Sequence, residues 1–284
     1  MAKVRKGSPF RHFVVDHFGL LPFLVFALFP AFFMILTAFK HNSELYDLEA
    51  IPFWLREGVT LDHFHFLFVK TQFLRWLLNS VMVAVVATGA SFVISVMAAY
   101  SLARLRFRGV NFLGTAIFVI YLVPPTLLFL PLGRVVYNIG LADNVLSLMI
   151  TYPTFLIPFS TWLLMGYFRT VPREIEECAM VDGCGRIGAL IRVVLPVTVP
   201  GLVCAILFAF TLSWNEFIYA LTFISQSTQK TATVGVAAEL VRGDVFHWGE
   251  IMAGASTGSL PIVLIYAFFL DYYVAGLTTG SVKG

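Results

Sequence analysis

The residues best suited to chemistry lie in one polar segment, residues 171–200, which long apolar runs flank on both sides. Its charged side chains are Arg173, Glu174, Glu176, Glu177, Asp182, Arg186 and Arg192. Because each ionised group at the centre of a bilayer costs at least about 2.5–3.5 kcal/mol, a segment with this charge density is expected to lie in water. We call residues 171–200 the elbow, and interpret it as a docking surface for a partner.

The elbow has the sequence pattern of two short helices joined at a glycine. Thr170 is predicted to cap the first helix, and Pro172 suits its first turn. Glutamates in that turn face the positive end of the helix dipole. Gly183 is expected to close the helix and turn the chain. A second helix is predicted over residues 185–195, ending before Pro196.

No catalytic constellation accompanies these charges. The sequence has no GxxxxGK[ST] loop, no HExxH or GxSxG motif, and no paired carboxylates in a membrane-embedded site. We therefore expect a protein that is not an enzyme and has no catalytic residues, cofactor or metal site. Three cysteines match no zinc or disulfide pattern and are interpreted as small packed residues: Cys178, Cys184 and Cys204. His63 and His65 are alternate residues in a loop, and a metal pair there is the minor alternative.

A second polar group, Trp214, Asn215 and Glu216, lies near the end of an apolar run. A carboxylate in that position is a functional candidate. The alternative is a hydrogen-bonded Glu216 at the membrane interface, with Trp214 and Tyr219 as interfacial anchors. Asn215 and Trp214 could contact a sugar through hydroxyl hydrogen bonds and ring stacking. These residues are therefore a hypothetical part of a substrate path.

Composition places both groups in a polytopic membrane protein. Of 284 residues, 59% are hydrophobic and 12% are charged, whereas a soluble domain has about 25% charged residues. About 20 apolar residues span a bilayer. Six such runs predict an all-α fold with six transmembrane helices, over residues 19–39, 76–102, 112–132, 145–168, 199–223 and 251–273. The predicted organisation is an N-terminal segment 1–18, a membrane domain 19–275 and a tail 276–284, with a polar loop 169–198 and outer loops 40–75, 133–144 and 225–250.

Lysine and arginine set the predicted orientation. They are denser in the loops on the N-terminal side of the membrane, which places both termini and the elbow in the cytoplasm. The basic N-terminus and its long apolar run indicate an uncleaved signal anchor.

Prolines in the third and fourth runs predict bent helices, which favour a transport path over a simple anchor, although bent helices also occur in packed bundles. A stripe of small residues in the second run predicts close helix packing: Ala84, Thr88, Ser91, Ser95 and Ala98.

One long, gap-free pattern resembles the EAA signature of ABC importer permeases. It consists of Glu177-Cys178-Ala179, three residues, Gly183, nine residues, and Val193-Val194-Leu195-Pro196. Cys178 replaces the first alanine and Val193 replaces the usual isoleucine, and both remain small or apolar. Three further segments look like those of the MalG type of subunit, in the carbohydrate-uptake branch of this family. They are Asn79-Ser80, residues 213–217 and residues 276–284.

The resemblance implies a type I ABC importer permease in the bacterial cytoplasmic (inner) membrane. The implied partners are a second, MalF-like permease subunit, two ATP-binding subunits that hydrolyse ATP, an extracytoplasmic solute-binding protein and the lipid bilayer, with no nucleic acid. It implies that Glu177 pairs with an arginine of the ATPase and that Gly183 makes the bend. The loop 169–198 would then be the coupling loop, which transmits ATP hydrolysis to the permease. It also contains Ala179, Asp182, Leu195 and Pro196. The outer loop 225–250 is expected to face the binding protein.

The function expected from this resemblance is ATP-driven uptake of a sugar or sugar-like solute. The alternatives are the same machinery for a polyol or a glycerol-phosphate-type solute, and an ATP-independent secondary carrier. A secondary carrier needs a coupling-ion site within its own spans, to which Glu216 alone could contribute.

Overall fold

The computed structural model confirms the predicted all-α fold and describes residues 19–47, 49, 51–242 and 245–279. The predicted N-terminal segment 1–18 and residues 280–284 of the predicted tail lie outside the described residues. The elements are α1 Leu21–Ala38, α2 Asn42–Leu45, α3 Asp62–His65, α4 Phe73–Arg104, α5 Val110–Leu122, α6 Phe129–Asn138, α7 Leu146–Thr151, α8 Pro153–Thr170, α9 Arg173–Val181, α10 Arg186–Ala189, α11 Leu195–Val197, α12 Val199–Trp214, α13 Ile218–Phe223, α14 Ala232–Glu239, and α15 Trp248–Thr279, with a short antiparallel strand pair, β1 Val241–Arg242 and β2 Val245–Phe246, before α15. Two π-helical turns occur at Phe66–Lys70 and Leu190–Val194, and two 3-10 turns at Pro125–Leu127 and Ser227–Gln229.

Long apolar helices account for most of the predicted spans. Within the residues described, four are long and apolar enough to cross a membrane, namely Leu21–Ala38, Phe73–Arg104, Leu146–Thr170 and Trp248–Gly276. A fifth span results if the pair Arg186–Val197 and Val199–Trp214, bent by 84°, is taken together. The third predicted span is broken at Pro124 and Pro125, which separate α5 from α6. The shorter apolar helix α5 leaves the structure compatible with the six predicted spans.

The larger of two compact units contains residues 72–239 and 258–284. Its core is built on α4, whose small residues face inward as predicted: Ala84, Thr88, Ser91 and Ser95 are buried, and Ala98 is half-buried. Small side chains allow α8 to approach closely. The Ser95 hydroxyl donates to the carbonyl of Ile157 at 3.2 Å, which links the two helices directly.

The predicted outer loop 225–250 has structure of its own, and its first part is tied to the start of α4. Trp76 Nε1 donates to the Ser227 carbonyl at 2.7 Å, and Asn79 Nδ2 donates to the Lys230 carbonyl at 2.9 Å. Ser80 Oγ accepts from the Ala232 amide at 2.8 Å. These contacts give the Asn79-Ser80 pair a structural role, because it satisfies backbone groups that a loop would otherwise expose.

The predicted loops 133–144 and 225–250 also contact each other. The carboxylate of Asp143 accepts hydrogen bonds from the amides of Ser225, at 2.5 Å, and Gln226, at 2.9 Å. These two amides hold the pKa of Asp143 below its usual value. The two loops are therefore joined directly by hydrogen bonds, and their common side of the membrane stays a prediction.

The described residues of the smaller unit, which lie within 19–71 and 240–257, bury several charged groups. Lys40 Nζ lies 3.6 Å from a Glu44 carboxylate oxygen, with both side chains almost fully buried. His63 is 1% exposed, and its two ring nitrogens face the Lys40 carbonyl, at 2.7 Å, and Glu250 Oε1, at 3.4 Å. Because both neighbours are acceptors, only the doubly protonated imidazole suits both.

We predict that this unit loses stability as the pH rises. Glu250 is the main cause of the raised pKa of His63, since its carboxylate favours the charged ring. A raised folded-state pKa contributes stability that is fully present below the unfolded value of about 6.5 and is lost as the pH rises through the folded value. His63→Gln should therefore flatten the dependence of Tm on pH above about 6.5, measured by thermal denaturation of the purified protein. His65→Gln is the matched control, because His65 is exposed; equal profiles for the two variants would refute the assignment.

Candidate functional site

The elbow forms the predicted helix–glycine–helix structure. Helix α9 ends at Val181, Gly183 has φ of +92°, and α10 begins at Arg186. A π-helical turn, Leu190–Val194, then leads into α11. The chain bends by 84° between α11 and α12, so the elbow joins a membrane helix at a sharp angle.

The spacing between Ala179 and Gly183 has a specific structural cause. The Cys184 amide donates to the Ala179 carbonyl at 3.0 Å, and the Gly183 amide donates to the Met180 carbonyl at 3.1 Å. These two bonds form a Schellman motif, which needs a left-handed residue at the position that Gly183 occupies. An added Cβ at Gly183 would meet no atom within 4 Å, so the requirement for glycine is conformational rather than steric.

Two local predictions about the elbow were wrong. The Thr170 hydroxyl donates to the Tyr167 carbonyl at 2.8 Å and does not cap α9, whose N-terminal flank is Pro172. The second helical stretch does not end before Pro196 but continues through it to Val197. A π-helical turn, Leu190–Val194, directly precedes Leu195 and Pro196, so the α-helical hydrogen-bond pattern is already interrupted where the proline occurs.

A buried polar cluster, which we call the anchor, ties the elbow to the end of α4. Glu176 is 6% exposed and accepts a hydrogen bond from the Tyr100 hydroxyl. Arg104 Nε lies 3.2 Å from the other Glu176 oxygen, an ion pair in which that N–H does not make a hydrogen bond. Arg104 also donates to the Val171 carbonyl at 2.8 Å, and Tyr100 contacts the Arg186 carbonyl at 3.2 Å. Tyr100 and Arg104 are one helical turn apart and so share a face of α4.

Apolar packing continues the attachment along the second half of the elbow. Leu190 and Val194 are buried in one cluster with residues of α4 and α8, including Ala99 and Phe168. Each large side chain fully buried contributes about 1.5–3 kcal/mol. The elbow is therefore held by both ionic and apolar contacts to two membrane helices.

The opposite side of the elbow is open. Glu177 is exposed, and no ion pair within the described residues includes it. Val181, one helical turn after Glu177, is 87% exposed, and the second half of the elbow leaves Ile187 at 62% and Ile191 at 57% exposed. A charged group beside uncovered apolar side chains is typical of a surface that another protein covers.

The remaining predicted residues of the coupling loop are distributed over this surface and its base. Asp182 is exposed at the end of α9, and Pro196 is exposed on α11. Ala179 is half-buried, and Leu195 packs on the apolar cluster. The structure thus brings the predicted residues into one continuous segment, and their role in coupling stays a prediction.

Trp214, Asn215 and Glu216 have three different environments. Trp214 is 5% exposed, stacks on Phe210 and donates Nε1 to the Gly258 carbonyl at 3.2 Å. Asn215 is exposed. Glu216 is half-buried, and its carboxylate accepts from the Tyr219 amide, the Ala220 amide and the Tyr152 hydroxyl, at 2.8–3.1 Å. Glu216 therefore satisfies free amides in the first turn of α13, a favourable place for a negative charge.

Sequence reasoning missed the anchor. The sequence groups Glu176 with the other glutamates of the elbow and gives no reason to single out Arg104. The available signal was the pair Tyr100 and Arg104 at helical spacing, but nothing in the sequence indicates that this pair meets a carboxylate 72 positions after Arg104. Such a pairing depends on how α4, α8 and the elbow pack.

We predict that Glu176→Gln destabilises the protein far more than Glu174→Gln. The neutral amide leaves Arg104 buried without a counter-charge, which costs about 3–5 kcal/mol for a buried ion pair. Glu174 is exposed on the same helix and is the matched control. Thermal unfolding of the purified protein and protease cleavage within the elbow measure the difference. The double variant Arg104→Met/Glu176→Leu should recover much of the loss; equal unfolding midpoints for the two single variants would contradict the anchor.

Comparison with known proteins places these features in a family. The family model described as binding-protein-dependent transport system inner membrane component matches residues 91–279. An inner membrane ABC transporter permease protein of Escherichia coli is 34% identical over 268 residues, covering 94% of this chain and 95% of that protein. A sulfoquinovosyl glycerol transport system permease protein of Agrobacterium fabrum is 35% identical over 262 residues, covering 92% and 90% of the two chains.

A solved structure supports the fold independently. The crystal structure of a bacterial ABC transporter involved in the import of alginate matches with a TM-score of 0.76 at 19% identity, over 94% of this chain and 98% of that one. The resemblance to ABC importer permeases is confirmed, as is the expectation of a multi-pass transport subunit rather than an enzyme. This chain belongs to the family of inner membrane components of binding-protein-dependent transport systems.

Proposed function

We propose that this chain is a permease subunit of an ATP-driven importer for a sugar or sugar-like solute, and that the elbow couples it to ATP hydrolysis. The observation that carries the proposal is the elbow itself, which is firmly attached on one side and uncovered on the other. Support for the solute class comes from a relative named for transport of a sulfoquinovosyl glycerol. The elbow and both termini lie in the cytoplasm in this proposal, following the distribution of lysine and arginine.

The complete transporter contains this chain, a second permease subunit, two ATP-binding subunits and an extracytoplasmic binding protein. Dependence on a binding protein is a property of the family, and the subunit numbers are part of our proposal. The structured segment 225–239 and the loop around Asp143 offer a connected surface for the binding protein.

Coupling follows from the two faces of α9. Glu177 forms an ion pair with a basic residue of the ATP-binding subunit, while Val181 and Ile187 enter an apolar part of the same interface. Because the anchor and the apolar cluster hold the elbow to α4 and α8, movement of the ATP-binding subunits displaces the elbow together with these helices. The solute cavity then opens to the other side of the membrane, as alternating access requires.

Within the proposed substrate path, Asn215 is the side chain that contacts solute. It is exposed, whereas Trp214 and Glu216 use their polar atoms within the fold and hold Asn215 in place. The same hydrogen bonds to Glu216 weigh against a secondary carrier, since a carboxylate with three donors is poorly placed to exchange a coupling ion.

We predict that Glu177→Ala uncouples ATP hydrolysis from uptake. Removing one partner of a charge pair at a closed interface costs about 2–5 kcal/mol. Reconstituted with its partner subunits and binding protein, the variant should insert normally but show little solute-stimulated ATPase activity and little uptake. Glu174→Ala removes an exposed carboxylate from the same helix and should keep both activities near wild type. Full uptake by the Glu177 variant would refute the assignment.

We predict a smaller defect for Gly183→Ala. A side chain in the left-handed region costs about 1–2 kcal/mol, so the variant should lower the stability of the elbow and reduce uptake. Gly185→Ala is the matched control, because Gly185 has φ of −71° and also has open space around its Cα. Uptake assays in proteoliposomes measure the difference, and an equal effect of the two substitutions would exclude the conformational explanation.

A further inference from the structure

A cavity of about 590 Å³ lies in the larger unit, beside the break between α5 and α6. Its volume falls within the roughly 300–1,000 Å³ of ligand pockets, which are mostly apolar with a few polar groups. Among the described residues no charged side chain lines it. The lining residues are Ile120, Tyr121, Val123, Pro125, Leu128, Thr154, Phe155, Pro158, Phe159, Phe208 and Leu212.

Three rings of the lining form a continuous surface, which we call the aromatic wall: Tyr121 of α5, Phe159 of α8 and Phe208 of α12. The ring centroids of Tyr121 and Phe159 are 5.6 Å apart, and those of Phe159 and Phe208 are 5.7 Å apart. Trp162, which does not line the cavity, stacks on Tyr121 at an interplanar angle of 10°. Ring pairs at these distances stabilise each other, so the aromatic wall is held in place without a ligand.

Tyr219 fixes the broken segment on another side of the cavity. Its side chain is buried, and its hydroxyl donates to the Pro125 carbonyl at 2.9 Å. Its amide donates to the Glu216 carboxylate at 2.8 Å. Because Glu216 directly follows Asn215, these bonds link the position of Pro125 to that of Asn215.

Asn215 shares a face of the chain with the cavity. Phe208, Leu212 and Asn215 follow one another at intervals of four and three residues, the spacing of one helix face, at the end of α12. Asn215 is exposed, and its amide can both donate and accept hydrogen bonds. The face therefore combines an apolar, aromatic region with one amide beside it.

We propose that this cavity binds a neutral glycoside, with an apolar face of its ring or aglycone against the aromatic wall and its hydroxyl groups directed to Asn215. The C–H groups on one face of a pyranose are weakly positive and suit the negative face of an aromatic ring. A phosphate would lose its water in a cavity whose described lining holds no positive charge, and burying an unpaired charge is costly. The inference thus favours a neutral solute over the glycerol-phosphate-type alternative. It rests on the proposed function in taking the bound molecule to be the transported solute.

The test uses the purified membrane complex of permease and ATP-binding subunits, in detergent and without ATP. Saturation-transfer NMR titrations compare 4-nitrophenyl glucoside, methyl glucoside and glucose 6-phosphate. The cavity variant Tyr121→Leu/Phe159→Leu removes two rings and keeps the lining apolar. The matched control, Phe268→Leu/Tyr272→Leu, removes the same two ring types from exposed positions of α15 that do not line the cavity. A third variant, Leu212→Arg, adds a positive charge at a lining residue that is 42% exposed.

The wild type should bind 4-nitrophenyl glucoside at least about 100-fold more tightly than glucose 6-phosphate, since only the phosphate loses its hydration without a counter-charge. Methyl glucoside should bind more weakly than the nitrophenyl compound, with saturation of its ring C–H protons. The cavity variant should weaken binding of both neutral probes about tenfold, whereas the control should change little. Leu212→Arg should raise the affinity for glucose 6-phosphate. Thermal unfolding midpoints near that of the wild type check that the variants are folded.

Other outcomes would overturn the proposal. Equal binding of neutral and phosphorylated probes, or equal loss in the two double variants, would show that the cavity does not select a neutral glycoside. Saturation confined to the nitrophenyl group would assign the cavity to an apolar occupant such as an acyl chain. Absence of binding to the wild type would mean that the second permease subunit fills the space.

The same measurement separates this inference from the proposed function. Binding without ATP tests the cavity, whereas ATP-dependent uptake in proteoliposomes tests the function. Uptake that does not discriminate against phosphorylated sugars would overturn the cavity assignment and leave the importer intact. Binding of neutral glycosides without any ATP-dependent uptake would refute the importer and leave the binding site.

Discussion

The buried contact between Arg104 and Glu176 is the constraint on which the elbow depends. Both side chains are less than 10% exposed, so neither charge can be solvated by water if its partner is removed. Burying an ion costs several kcal/mol, and the Coulomb attraction compensates only when other groups satisfy the remaining donors and acceptors. Here the Tyr100 hydroxyl donates a hydrogen bond to the Glu176 carboxylate, and the Arg104 guanidinium donates one to the Val171 carbonyl. The resulting cluster fixes the position of α9 relative to α4.

That position decides which glutamate of the acidic run faces a partner. Successive residues of an α-helix point about 100° apart, so Glu176 and its neighbour Glu177 point in different directions. When Glu176 turns inward to Arg104, Glu177 is left exposed together with Val181 one turn later. One internal ion pair therefore sets the orientation of the proposed docking surface.

The sequence was sufficient for features that depend on local chemistry. The apolar runs predicted the helices that cross the membrane, and the glycine at the end of an acidic helix predicted the Schellman turn at Gly183. Proline positions predicted the break between α5 and α6. Where local rules competed, prediction failed: Thr170 had a carbonyl of its own helix within reach, and Pro196 follows a π-helical turn, where the α-helical hydrogen bonds are already interrupted. The anchor could not be predicted, because Tyr100, Arg104 and Glu176 meet only after α4 and the elbow have packed.

The elbow's attachment also limits how the protein can move. The cluster around Leu190 and Val194 packs against α4 and α8, and the left-handed residue Gly183 fixes the turn between α9 and α10. A force applied to α9 therefore reaches α4 through a rigid connection. The chain bends by 84° beyond α11, where the Thr198 hydroxyl and amide both donate to the Val194 carbonyl. These bonds satisfy a carbonyl at the bend that would otherwise be left unpaired near lipid. In the function proposed here, the elbow moves as one body and the start of α12 absorbs the change, which is the division of roles that alternating access demands of a permease.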